Sequence, residues 1–176
     1  MQRLLPVLAL ALLCACGATT PPTPAAQASP SPVALSCTDS GTASASWAAP
    51  SAAPSTPAIV SATASGDKLQ ITFASGTPQF QIARQTAAHF VMDPKGSPVN
   101  LAGSAGVRIV MQGFRGDLAN YSGPATLNSS GPLLLQAASI GDFEGHVSWG
   151  VGLSGPGCAN VTASGSTLTF TFIAAP

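Results

Sequence analysis

Beyond Pro57 the sequence alternates between apolar and polar residues with a period of two. Successive side chains of a β-strand point to opposite faces, so this pattern predicts strands that bury one face in a core. Gly-, Pro- and Ser-rich turn sequences separate the alternating runs, and no segment keeps a helical period for more than a turn or two. We therefore expect an all-β fold, a β-sandwich of short antiparallel strands. The predicted inward residues are Leu69, Ile71 and Phe73; Val107, Ile109 and Met111; Val147, Trp149, Val151 and Leu153; and Leu168, Phe170 and Phe172.

The N-terminus has the features of an export signal. It begins MQRLLPVLALALLCACG, in which one arginine precedes an apolar run from Leu4 to Leu13. About 20 apolar residues are needed to span a bilayer, so a run of this length indicates the apolar region of a signal peptide.

A cysteine preceded by a small residue, at the end of such a run, resembles the bacterial lipobox. Ala15 precedes Cys16, whereas the bulky Leu13 precedes Cys14. We therefore predict a lipoprotein signal peptide over residues 1–15 and lipidation at Cys16. The lipid would hold the mature protein to the membrane on its extracytoplasmic face. The alternative is an ordinary cleaved signal with incidental cysteines.

Residues 16–57 are rich in Pro, Ala, Ser and Thr and lack periodicity, which predicts a disordered tether in front of a domain over residues 58–176. Cys37 and Trp47 interrupt this composition and suggest that part of the segment lies against the domain. Because exported proteins meet oxidising conditions, we expect Cys37 and Cys158 to form one disulfide. A redox pair is the less favoured reading, since their spacing is unlike Cys-x-x-Cys.

Charged residues make up only 7% of the chain, against a usual value of about 25%, and the formal net charge is zero. The cations are scattered, so the sequence has no basic stripe that would favour nucleic acid. We expect no nucleic-acid partner.

Candidate catalytic residues are few. The sequence has two histidines and no Gly-x-Ser-x-Gly motif, and its histidines and cysteines lack the spacing of a metal site. The densest polar cluster is GDFEGH, residues 141–146, in which two carboxylates and a histidine could form an acid–base site. A polar turn leading into a buried strand is the preferred interpretation, with His146 facing the same way as Ser148. We therefore predict a protein that is not an enzyme and needs neither a cofactor nor a metal.

The segment containing GDFEGHVSWGVGL resembles the AMIN-like domain of exported bacterial proteins, as found in actinobacterial lipoproteins. Weaker elements of the same family precede it in the expected order: DKLQITF from Asp67, PQF from Pro78, GSPVNLAGSAGVRIVM from Gly96 and YSGP from Tyr121. The resemblance covers roughly residues 67–153. Lys68, Gln79 and residues 155–160 depart from the family pattern, which puts the final strand pairing in question.

The resemblance implies an all-β sandwich in the cell envelope. It also marks six motif residues as structural or binding residues: Asp142, Phe143, Glu144, Gly145, Trp149 and Gly150. We expect a lipid-anchored, non-catalytic envelope protein that binds peptidoglycan, another wall polymer or an envelope protein. Two alternatives remain: a small-ligand carrier or weak hydrolase with a pocket between its two sheets, and a spacer without a ligand.

Overall fold

The structure, a computed structural model, describes residues 33–35, 44–47, 58–114 and 121–176. These residues form thirteen strands: β1 (Val33–Leu35), β2 (Ser44–Trp47), β3 (Ile59–Ser65), β4 (Lys68–Phe73), β5 (Gln79–Gln85), β6 (His89–Met92), β7 (Ser97–Asn100), β8 (Ala105–Gln112), β9 (Thr126–Asn128), β10 (Leu134–Phe143), β11 (His146–Leu153), β12 (Gly157–Ser164) and β13 (Thr167–Ala174). No helix in the described part of the chain is long and apolar enough to cross a membrane.

The strands form two main sheets and one separate hairpin. The five-stranded sheet has the order β1-β12-β13-β4-β3, and the six-stranded sheet has the order β2-β5-β8-β11-β10-β9. The separate hairpin pairs β6 with β7. Neighbouring strands are antiparallel in both sheets, so the expected all-β class is confirmed.

The core lies between the two sheets, as the alternation predicts. All of the predicted inward residues on β4, β8, β11 and β13 are buried. Phe80 of the six-stranded sheet meets Phe170 of the five-stranded sheet edge to face, with ring centroids 5.5 Å apart. This contact is one of those that join the two layers across the core.

Two short strands lie within residues 16–57, which composition assigns to a tether. β1 extends the five-stranded sheet by pairing with β12, and β2 extends the six-stranded sheet by pairing with β5. Part of this segment is therefore strand rather than disordered tether. The predicted signal peptide, Cys16 and Cys37 lie outside the described residues.

Two polar side chains link the sheets at their ends. Asp67, in the turn between β3 and β4, accepts hydrogen bonds through Oδ1 from the backbone N–H groups of Leu133 and Leu134, at 2.8 and 2.9 Å. Arg84 faces inward from β5 and donates from Nε to the carbonyl oxygen of Gly157 at 3.0 Å. These bonds give buried polar groups partners in the opposite layer.

The β6–β7 hairpin packs on the outer face of the six-stranded sheet through Phe90 and a small apolar cluster. Glycines on the sheet make room for the Phe90 ring. A Cβ atom at Gly150 would lie 2.9 Å from Phe90 Cδ2, and one at Gly106 would lie 2.9 Å from Phe90 Cζ. The sequence WGVGL therefore combines core residues that face inward with a glycine that faces outward, against which the hairpin packs. The hairpin covers only this part of the outer face.

Candidate functional site

The GDFEGH cluster forms the tight turn between β10 and β11. Its two central residues, Glu144 and Gly145, have positive φ angles of 50° and 78°, as a type I′ hairpin turn requires. The carbonyl oxygen of Gly145 accepts hydrogen bonds from the N–H groups of Gly113 and Phe114, both at 3.1 Å. The turn is thus attached to the chain segment that follows β8.

Beside this turn lies a cavity of about 320 Å³ on the outer face of the six-stranded sheet, which we call the outer-face groove. Four strands or their ends contribute to it: β6, β8, β10 and β11. Its lining residues are Asp93, Arg108, Val110, Gly141, Phe143, Glu144, His146 and Ser148.

Ser148 forms the centre of the groove floor, between Val110 on β8 and Gly141 on β10. The residue is only 4% exposed. A hydroxyl in this position can both donate to and accept from a molecule in the groove.

One wall of the groove is an ion pair. Arg108 Nη2 lies 2.7 Å from Asp93 Oδ2, and both side chains are partly exposed. The buried Arg108 Nε has no hydrogen-bond partner within the described part of the chain. Asp93 also bonds through its backbone N–H to the carbonyl oxygen of Ile140 at 3.0 Å, which ties this end of the β6–β7 hairpin to β10.

The other wall comes from the β10–β11 turn. Phe143 is 48% exposed, an unusual position for a phenylalanine in a domain with a large core. Glu144 and His146 complete the wall, and His146 Nδ1 lies 3.1 Å from the carbonyl oxygen of Glu144. An exposed aromatic ring next to several hydrogen-bonding groups is the composition of a binding surface.

The structure does not bring the two carboxylates and the histidine of the motif together. Asp142 pairs with Val147, a core residue, and is not part of the groove lining, whereas Glu144 and His146 are. Among the described residues, no group of three or more His, Cys, Asp and Glu could hold a metal ion. The groove therefore presents hydrogen-bonding and apolar groups rather than a recognisable catalytic constellation.

The remaining motif residues serve the fold. Gly145 occupies the left-handed turn position, Trp149 lies fully buried in the core, and Gly150 faces Phe90. The interior between the sheets contains Phe170 and Phe172 as well as Trp149, all buried. This packed interior argues against a carrier or hydrolase pocket between the sheets.

Sequence reasoning did not assign Asp93, Arg108, Val110, Gly141 and Ser148 to one site. The alternating pattern places Arg108 and Ser148 on outward positions of their strands. These outward residues come together because β8 and β11 are neighbours in the sheet. The alternating pattern does not indicate which strands are neighbours.

Comparison with protein families found one match: the model of the AMIN-like domain matches residues 59–165, more than half of the chain. The matched range contains every residue that lines the outer-face groove. Neither the search of curated proteins nor the search of solved structures found a matching protein. The family match indicates a non-catalytic domain related to the cell wall and a location in the cell envelope.

Proposed function

Because the chain belongs to the AMIN-like domain family, we propose that it is a lipid-anchored envelope protein that binds cell-wall polymer in the outer-face groove. The observation that carries the proposal is the groove itself. It combines the exposed Phe143 with the hydroxyl of Ser148 on its floor, and the family match includes both residues. Wall polymer fits a family related to the cell wall better than an unrelated protein partner does.

The N-terminal sequence supports the anchor. The short apolar run and the small residue before Cys16 fit a lipoprotein signal, and residues 17–32 are rich in Pro and Ser/Thr, a composition suited to a spacer between membrane and domain. The expected mature protein begins with an acylated Cys16, and mass spectrometry of the N-terminal peptide tests this. An unmodified N-terminal residue would contradict the anchor without affecting wall binding.

The proposed disulfide between Cys37 and Cys158 has support from strand register. Leu35, two residues before Cys37, pairs with Ala159, the residue next to Cys158. Cys158 itself is buried in β12. A disulfide here would fix β1 to the edge of the five-stranded sheet, in line with the stabilisation expected for a bridge that closes a long loop.

Replacing Phe143 with alanine should weaken binding to isolated cell walls about tenfold, because truncating an aromatic side chain that packs against a ligand removes a large share of the affinity. The measurement is co-sedimentation of the mature chain with purified walls over a range of protein concentrations. Folding should be unchanged, since Phe143 is half exposed and lies at the end of β10.

Ile173→Ala is the matched control. Ile173 is an apolar residue 43% exposed on β13 of the five-stranded sheet, away from the groove. This variant should bind walls as the unaltered protein does. If the unaltered protein does not co-sediment, the proposed function is wrong. If both variants lose binding equally, the groove is not the binding site.

A further inference from the structure

We propose that the outer-face groove binds an uncharged sugar unit of the wall glycan, rather than its peptide portion or a phosphate-rich polymer. This inference rests on the proposed function and specifies which chemical part of the wall the groove recognises. Three features of the groove support it: the pairing of its floor strands, its lack of surplus positive charge, and the arrangement of its polar and aromatic groups.

The floor strands offer no free backbone to a peptide. β8 lies between β5 and β11, and β11 lies between β8 and β10. Extended peptides commonly bind by adding a strand to an open sheet edge, where main-chain hydrogen bonds supply the affinity. Because the groove lies on the face of central strands, it offers a ligand no unpaired strand edge, which disfavours an extended peptide.

The groove lining has no surplus of positive charge. Arg108 stands against Asp93 and Glu144, and it is paired directly with Asp93. Binding of a polyanion depends on a surplus of positive charge, which concentrates the polymer near the site. The groove has no such surplus, so a phosphate-rich polymer gains little attraction from it.

The polar groups suit a row of sugar hydroxyls, each of which both donates and accepts. The Arg108–Asp93 pair places a donor and an acceptor side by side, and Ser148 supplies a third hydrogen-bonding group on the floor. The buried Arg108 Nε lacks a partner within the described residues, so a ligand hydroxyl that accepts from it would satisfy it. Phe143 at the opposite wall can pack against the apolar C–H face of the same ring.

The test is a titration of the mature chain with three soluble probes, monitored by NMR. The probes are N-acetylglucosamine tetrasaccharide, a synthetic stem pentapeptide and poly(glycerol phosphate). We expect saturable binding of the tetrasaccharide, with shifts at the amides of Val110, Gly141 and Ser148. Its affinity should be nearly the same at low and high salt, because screening acts on charged ligands.

Ser148→Ala should weaken tetrasaccharide binding about fivefold, the loss expected for one neutral hydrogen bond. Ser61→Ala, on β3 of the five-stranded sheet, is the matched control and should leave the affinity unchanged. Thermal melting of both variants checks that the fold is retained. The hydroxyl's role is contradicted if Ser148→Ala melts normally and binds the tetrasaccharide as tightly as the control does.

Wall co-sedimentation tests the proposed function, and the three soluble probes test the sugar assignment. If the protein co-sediments with walls but binds only the pentapeptide or only the phosphate polymer, the sugar assignment is wrong and wall binding stands. If it binds the walls and none of the three probes, the sugar assignment is also wrong. If it does not bind walls at all, the proposed function fails first.

Discussion

Replacing Gly152 with alanine should destabilise the protein by about 3 kcal/mol, at the upper end of the usual cost of overpacking. Gly152 lies on β11 and faces the segment that follows β7. A Cβ atom there would overlap the carbonyl oxygen of Ala102 and lie 3.0 Å from Leu101 Cβ. Backbone oxygen, unlike the end of a flexible side chain, cannot move aside without moving its whole segment.

That segment is held in place by several hydrogen bonds. The N–H of Leu101 donates to Ala88 O at 3.0 Å, and the N–H of Ala102 donates to Gln136 Oε1 at 2.7 Å. The N–H of Ser104 donates to Leu153 O at 2.9 Å. Because these bonds fix both sides of the contact, relief of the overlap would break at least one of them.

Urea denaturation followed by circular dichroism measures the loss, with Gly155→Ala as the matched control. Gly155 lies three residues further along the chain, and a Cβ atom there would have no heavy atom within 4 Å. Its replacement should change the free energy of unfolding by less than about 0.5 kcal/mol. Equal effects of the two substitutions would contradict the close packing of β11 against the residues after β7.

Replacing Trp149 with alanine should cost about 3 to 5 kcal/mol, the range for removing a buried large aromatic side chain. Trp149 is fully buried in the core. Tyr121 packs against it edge to face, with ring centroids 5.8 Å apart and an interplanar angle of 68°. The substitution would therefore leave a cavity in the core and remove the packing partner of Tyr121.

Trp149→Phe should cost much less, roughly 1 to 2 kcal/mol. The indole Nε1 is buried without a hydrogen-bond partner in the part of the chain that the structure describes. Phenylalanine keeps an aromatic ring and removes this unpaired donor, so part of the lost packing is offset. The same urea experiment compares the two variants, and a loss of similar size in both would show that the indole N–H is satisfied.

Tyr121 gives an independent readout of the Trp149 packing. Burial raises the pKa of the Tyr121 phenol above its ordinary value. If Trp149→Ala loosens this contact, the phenol pKa should fall toward that of an exposed tyrosine, as spectrophotometric titration would detect. In Trp149→Phe the pKa should remain raised.

Strand content and core faces could be predicted from the sequence because period two is a local property. The alternation on β11 placed Val147, Trp149, Val151 and Leu153 in the core, and the structure buries all four. The sequence signal for the turns is local as well, because glycine at positions such as Gly66 and Gly165 allows the positive φ angles seen there. Neither signal depends on which strands become neighbours.

The groove could not be predicted because it depends on strand order. Arg108 and Ser148 meet only because β8 pairs with β11, and Asp93 joins them because the β6–β7 hairpin ends beside β10. Period two determines which face a residue occupies and carries no information about order within the sheet. Two of the motif residues, Phe143 and Glu144, line the groove, but three-dimensional context decides which motif residues are exposed.

Composition did not predict the strands at residues 33–35 and 44–47 for a related reason. A segment rich in Ala, Ser and Pro gains little from burying its own side chains, which favours a tether. Strands as short as β1 and β2 are instead paired with the edges of existing sheets, by backbone hydrogen bonds that hardly depend on side-chain type. A tertiary contact of this kind overrides local preference.

The most direct test of the account is amide hydrogen exchange of the mature chain with and without purified cell walls. If the outer-face groove binds wall polymer, walls should slow exchange in residues 92–96 and 141–148, which border the groove, and leave the turn between β12 and β13 unchanged. Protection confined to the five-stranded sheet, or no protection at saturating wall concentrations, would contradict the assignment of this groove as the binding site.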